Sequence, residues 1–362
     1  MKVIKETLKL LLVTALVLMN VAEKEVNKPI FRFGSWDFAT ILKTTAFIDR
    51  TLLIKEFLKM NNNILIVAPK RSGKSTNLNM LKSFFEIAVD KNGQPRNPKE
   101  SANYELFSER NLKIFSSEKL LFHKHFGMFP VIFIDYGVFS EINSFTSAVE
   151  SFKEILLNCF EQHEYLIHSG KLWSNQDEKN LFMRYSGCPG IFSLNEDELK
   201  NGFMFLSRLL FKHFNRRVIV LVDDYDAFKD SSSLKDHSDW DKVLAFIKEV
   251  NSRLLLRNDC LDRVLITGTL RQDVSTPPVH ADVLPNNIVE YNFCKYNCFC
   301  EYYGVTMNEL DELLSKFLTN NLQREKVKSN IIMQSTTLEQ NNQIYNTWSV
   351  LHYLANFNIS AI

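Results

Sequence analysis

The chain has 362 residues, with 43 basic against 42 acidic side chains for a net charge of +1, and 45% of it is hydrophobic. With charge near neutral, no strong electrostatic field marks a nucleic-acid binder or a polybasic membrane surface. The apolar fraction supports a large packed core, and the low counts of glycine (11) and proline (9) exclude long disordered linkers.

In chain order, Lys2, Lys5 and Lys9 precede an uncharged run from Leu10 to Ala22. That run is shorter than the roughly 20 residues of a membrane span and suits the apolar core of an export signal. Ala22 fits a cleavage site, although Asn20 departs from the small-residue rule; an apolar N-terminal helix or an uncleaved anchor is the alternative. The expectation is a signal peptide over 1–22 and a secreted chain with no membrane span after its removal. Residence in the endoplasmic reticulum lumen or as a signal-anchored protein is the alternative. Six cysteines, an even number, fit disulfides in an oxidising compartment. At least one bridge is expected among Cys294, Cys298 and Cys300, or from that cluster to Cys159, Cys188 or Cys260. The cluster's CxxxC and CxC spacings, with no histidine nearby, argue against zinc.

Residues 47–59 have helical spacing. Five short apolar runs then read as buried strands: 63–68, 130–136, 218–224, 263–269 and the weaker 287–293. Helical stretches at 75–89, 145–167 and 240–255 alternate with them. This alternation predicts an α/β fold with a five-stranded, mainly parallel sheet flanked by helices. Beyond 294 the pattern turns helical, so the expected divisions are a P-loop domain over 23–293 and a helical C-terminal lid over 294–362.

The chemistry concentrates in "ILIVAPKRSGKST", residues 64–76. A buried strand breaks at Ala68-Pro69, and Gly73-Lys74-Ser75 follows. This is the GxxxxGK[ST] phosphate loop with Ala68 in place of its first glycine, a degenerate Walker A motif. Its backbone N–H groups and the N-terminus of the next helix suit negative phosphate. The expected nucleotide-binding residues are Ala68, Pro69, Lys70, Arg71, Ser72, Gly73, Lys74, Ser75 and Thr76. Lys74 is expected on the outer phosphates and the Ser75 hydroxyl on Mg²⁺. Pro69 removes one N–H donor, while Lys70 and Arg71 add charge.

The second site is "VIVLVDDYD", residues 218–226. Asp223 is expected to hold the Mg²⁺ shell with Ser75. Asp224 stands where a water-orienting glutamate is common, and is one methylene shorter; Asp226 is a third acid. The fourth strand ends in Thr267-Gly268-Thr269, with Thr267 or Thr269 a candidate γ-phosphate sensor and Arg271 a candidate charge-neutralising arginine. Asp135, ending the second strand, either faces the cleft or caps a loop. His123 and His125 would share one side of a strand, but no third metal ligand is evident.

These motifs resemble the AAA-ATPase-like domain family over about 31–354. "APKRSGKSTNLNMLKSFF" is similar to the family's "RPRRFGKSLNLSMLKYFF", which itself lacks the first glycine. "FIDRTLLIKEFL", "HFGMFPVIFIDY", "VIVLVDDYD", "LITGTLRQD…LPNN" and "EYYGVTMNELDELL" resemble further family blocks. Asp224 departs from the family's glutamate, and the "WYDGY" element expected before "IYNPWSVL" is absent ahead of "IYNTWSVL". Many bacterial relatives carry a C-terminal nuclease domain, which is not expected here. The resemblance implies Mg·ATP binding. The expectation is a secretory-pathway protein that binds Mg·ATP with weak or absent hydrolysis; intact Gly73-Lys74-Ser75 with Asp223 lean toward it, and Asp224 together with the leader leans toward the alternative. The alternative is a non-enzymatic secreted interaction protein that keeps the fold.

Overall fold

A computed structural model describes residues 30–61, 63–170, 172–187, 194–231, 234, 238–270, 283–293, 295, 298–318, 320–334, 337–339 and 344–360. The leader expected over 1–22 lies outside the described residues. The main sheet consists of β1 (Asn63–Ala68), β2 (Val131–Asp135), β3 (Val218–Asp223), β4 (Leu261–Thr269) and β5 (Ile288–Asn292). Their order across it is β2-β3-β4-β1-β5, and all pairs are parallel. The chain has an α/β fold of the P-loop NTPase kind. All five strands coincide with the apolar runs of the sequence.

β3 shows why such runs become central strands. Val218, Val220 and Val222 enter one hydrophobic cluster, and Ile219 and Leu221 enter the other. Side chains alternate across a strand, so a continuous apolar run is stable only where both faces are covered. Helix α1 (Lys74–Phe85) and a set of interlocked phenylalanines cover one face. Helices α2 (Phe145–Glu161), α3 (Glu196–Phe214) and α4 (Trp240–Leu255) cover the other. Helix α3 has no counterpart among the helices read from the sequence. It starts at a capping box in which Asn195 and Glu198 bond each other's backbone N–H groups.

The C-terminal part contains α5 (Met307–Phe317), α6 (Asn321–Gln334), an antiparallel ribbon of β6 (Thr337–Glu339) and β7 (Ile344–Tyr345), and α7 (Thr347–Ser360). These elements surround a third cluster that includes Leu310, Leu313, Val327, Ile331, Val350 and Leu354. Tyr345 exchanges backbone hydrogen bonds with Val305 at 2.7 and 2.8 Å, fixing where α7 begins. No helix among the described residues is long and apolar enough to cross a membrane.

Three expectations change. Only Leu53–Lys59 of the 47–59 segment is helical. His123 and His125 lie on the helix Lys119–His125, where residues two apart diverge instead of sharing a face. Their rings pack against Phe122 and Phe129 respectively. Cys159, Cys260 and Cys298 are free thiols, so the expected bridge does not run through any of these three. Cys159 is buried on α2 with its Sγ 3.1 Å from the Phe133 carbonyl, and burial pushes its thiol up to about 12. Cys188 and Cys294 lie outside the described residues, and Cys300 is buried.

Candidate functional site

The loop begins where β1 ends. Ala68 is fully buried, pairs in register with Thr269, and accepts a hydrogen bond from the Leu270 N–H at 2.8 Å. The position that a glycine would occupy in the full motif is therefore part of the sheet and its core. Pro69 stops the strand, and its carbonyl accepts from Lys74 Nζ at 3.2 Å. Arg71 and Gly73 take left-handed conformations, with φ of 61° and 95°. Gly73 is the N-cap of α1, and no side chain caps that helix. The first-turn N–H groups, at Lys74, Ser75 and Thr76, have no intrahelical acceptor and present the positive end of the helix dipole.

β3 delivers the carboxylates to the same edge of the sheet. Asp223 is buried; its Oδ1 accepts from the Thr267 hydroxyl at 2.5 Å and from the Asp224 N–H at 3.1 Å. Asp224 then turns out of the sheet with φ of 46°. Asp226 accepts from the Thr269 N–H at 3.1 Å, tying the end of β4 to the acidic turn. Asp135 sits in register with Asp223 on the neighbouring strand, and its Oδ1 accepts from the Gly137 N–H at 2.8 Å. Of the two roles weighed for Asp135, this bond fulfils the loop-capping one.

The charges are interdependent. Burial pushes the Lys74 ammonium below its ordinary value, opposed by Asp224, Asp223 and Asp226. Burial, reinforced by the charge of Asp223, pushes the Asp224 carboxyl up to about 6, while Lys74 opposes the rise. Partial burial and Asp223 also raise Asp135, against the Gly137 hydrogen bond.

A cavity of about 560 Å³ opens at this edge. Lys70, Arg71, Gly73, Lys74, Ser75 and Thr76 line it from the loop, and Asp224, Asp226 and Thr269 from the strand ends. Its wall also includes the aromatic residues Phe31, Phe33, Trp36, Phe47 and Trp348. Four expected site residues lie off this wall. Ala68 is in the core, Pro69 contributes a carbonyl to Lys74, Ser72 is buried, and Asp223 is buried behind Asp224. Thr267, one of the two sensor candidates, is fully buried on Asp223, which leaves Thr269 at the cavity. Arg271 lies outside the described residues. Lys70 makes an ion pair with Asp230 at 2.7 Å, joining the loop to the turn after β3.

The donor set fits a magnesium nucleotide. Uncapped N–H groups and Lys74 suit phosphate, and a hydroxyl and carboxylates are the hard oxygen ligands that Mg²⁺ takes. Among the described residues no group of three or more His, Cys, Asp or Glu could hold a metal ion.

The sequence reading missed the contribution of the tail. Asn346 Nδ2 donates to the Lys70 carbonyl at 3.1 Å, and the Thr347 hydroxyl to the Ser72 carbonyl at 3.5 Å. Trp348 lies 4.5 Å beneath the Arg71 guanidinium. Arg50 is also buried here, donating to Tyr302 and Gly304 carbonyls at 2.6 Å and to the Ser72 carbonyl at 3.4 Å. The "IYNTWSVL" block marked this segment in the sequence, but nothing in its residues pointed to the loop.

A family model, AAA-ATPase-like, described as a predicted AAA-ATPase, matches residues 32–275. The match contains both the loop and the carboxylate turn. None of the curated proteins matches the chain.

Proposed function

The chain belongs to the AAA-ATPase-like family, and from that membership we propose that it binds Mg·ATP at the cavity and turns it over weakly or not at all. One observation carries this reading: Lys74, Ser75 and Thr76 of the α1 N-terminus and Asp224 of the acidic turn line the same cavity. Ligands of open α/β sheets bind at this C-terminal edge of the strands. In the proposal, the first-turn N–H groups and Lys74 hold the phosphates. Ser75 and Asp223 would hold Mg²⁺, which supplies charge neutralisation at the phosphates. Asp224 orients water, with a carboxylate one methylene shorter than the family's glutamate.

The test is a calorimetric titration of the full chain with Mg·ATP. Saturable heat in the wild type and none in Lys74→Ala supports the reading. Equal binding by both places the nucleotide elsewhere.

A second reading, a non-enzymatic interaction protein that keeps the fold, is favoured by the aspartate at 224. Saturable binding without turnover, before and after Asp224→Glu, selects it. Export is part of the proposal, motivated by the basic start and the apolar run of 10–22. N-terminal sequencing of the chain made in a eukaryotic secretory host should begin near Glu23, and an intact Met1 ends that part.

A further inference from the structure

Three consecutive tail residues meet three consecutive loop residues. Asn346 holds the Lys70 carbonyl, Thr347 the Ser72 carbonyl, and Trp348 stacks on Arg71. The first of these contacts joins residues 276 apart in sequence. We infer that Asn346, Thr347 and Trp348 are positioning residues for the phosphate loop, and that nucleotide binding and the seating of α7 are coupled through them. The inference rests on the Mg·ATP reading above and adds the tail to it.

The geometry gives the reason. A trans peptide unit is planar, with its C=O and N–H on opposite sides. Holding the Lys70 carbonyl therefore sets the direction of the Arg71 N–H. Holding the Ser72 carbonyl, by Thr347 and by Arg50, sets that of the Gly73 N–H. These N–H groups are donors that a phosphate loop offers its ligand. Arg71 is also a non-glycine residue in the left-handed region, which persists only when neighbours fix it. The Trp348 ring does so on one side, and the ring of His352 stacks on Trp348 at 4.5 Å, one turn further along α7.

The contact also suits a loop without its first glycine. With Ala68 locked into the sheet, the turn from Pro69 to Gly73 has no glycine before its end, and its shape depends on outside contacts. Arg50 makes the arrangement cooperative. Its guanidinium is buried and bonds the loop (Ser72), the segment after β5 (Tyr302 and Gly304) and the start of α7, through the Thr347 hydroxyl at 3.2 Å. Asn77, on the first turns of α1, adds a bond to the same Tyr302 carbonyl at 2.8 Å. A change at the loop is thereby felt at α7, and linkage requires the reverse as well.

Two measurements on the full chain test this. In titrations with Mg·ATP, Asn346→Ala and Trp348→Ala each weaken binding about five- to tenfold, the size of one lost hydrogen bond or cation–π contact. Thr347→Val weakens it too, Thr347→Ser restores it, and Trp348→Phe recovers part of the loss, a pattern that general destabilisation would not give. In hydrogen exchange, Mg·ATP slows the amides of 347–357 in the wild type but not in Lys74→Ala; this needs no tail variant to fold. Nucleotide binding with undiminished affinity in all tail variants, or binding that leaves 347–357 unprotected, overturns the inference while leaving the site reading intact. If the wild type binds no Mg·ATP, both fall together.

Discussion

Thr267 donates its hydroxyl to the Asp223 carboxylate across the step from β4 to β3, at 2.5 Å, and both side chains are buried. One of the two threonines that the sequence offered as a phosphate sensor therefore orients the carboxylate expected to serve the metal. Since β4 lies between β1 and β3, it reaches both the loop and the acidic turn.

Replacing Thr267 by valine keeps the side-chain shape and removes the donor. The buried carboxylate oxygen then keeps only the longer bond from the Asp224 N–H, and losing the shorter one costs about 1–3 kcal/mol. Urea denaturation should show this loss for Thr267→Val and most of the wild-type stability for Thr267→Ser. An unchanged midpoint in Thr267→Val would show that Asp223 does not depend on the bond.

Gly268, between the two threonines, is required by close packing. A Cβ there would lie 2.3 Å from Cε1 and 2.9 Å from Cδ1 of Tyr225, the residue between Asp224 and Asp226. Gly268→Ala must displace that ring and the acidic turn with it. The expected result is about 1–3 kcal/mol of destabilisation together with weaker Mg·ATP binding. A thermal melt and a titration on the same sample check both; a stable variant with wild-type affinity would show that the turn moves independently of Tyr225.

His163 predicts an acid-sensitive stability. Its Nε2 contacts the Val131 carbonyl at 3.1 Å and its Nδ1 the Tyr165 hydroxyl at 3.0 Å. Burial, with the charge of Lys82, lowers it to about 3 against the opposing Val131 bond. The unfolded histidine titrates near 6.5, so between about 6.5 and about 3 the unfolded chain holds a proton that the native one does not. Stability is full above about pH 6.5 and falls as the pH drops, by about 1.4 kcal/mol per unit from this group. Denaturation at a series of pH values should show a shallower decline in His163→Gln; equal slopes would assign the acid sensitivity to other groups.

The strands were legible because each is a continuous apolar run, a pattern that both covered faces of a parallel sheet demand. The amphipathic helices 145–161 and 240–255 were legible for a related reason, an apolar stripe of helical period. Helix α3 escaped because its charged opening, Glu196 to Glu198, reads as a polar loop until Asn195 is seen to cap it. Local motifs placed Lys74, Ser75 and Asp224 at the cavity. They did not reveal that Ala68 and Asp223 are buried, because a motif fixes spacing and not which neighbour covers a side chain. The bonds from Asn346, Thr347 and Arg50 to the loop depend on the packing of distant segments, and no local pattern encodes that.

The proposed water-orienting role of Asp224 predicts how turnover responds to substitution. Asp224 lines the cavity, its backbone is left-handed with φ of 46°, and the Lys74 charge acts on it. The carboxylate is thus at the cavity, but on a shorter arm than a glutamate would give. One methylene adds about 1.5 Å of reach, and a catalytic group misplaced by about 1 Å loses roughly 100-fold in rate. Asp224→Glu should therefore raise ATP hydrolysis by up to about 100-fold. Affinity should change by less than about threefold, because binding rests on Lys74 and the α1 N-terminus. Phosphate release and a titration on the same preparation separate the two effects, and Asp224→Asn should abolish whatever turnover the wild type has. If Asp224→Glu binds Mg·ATP like the wild type and neither releases phosphate, the shortened acid is not what limits the site. The nucleotide would then act as a structural ligand of this fold, not as its substrate.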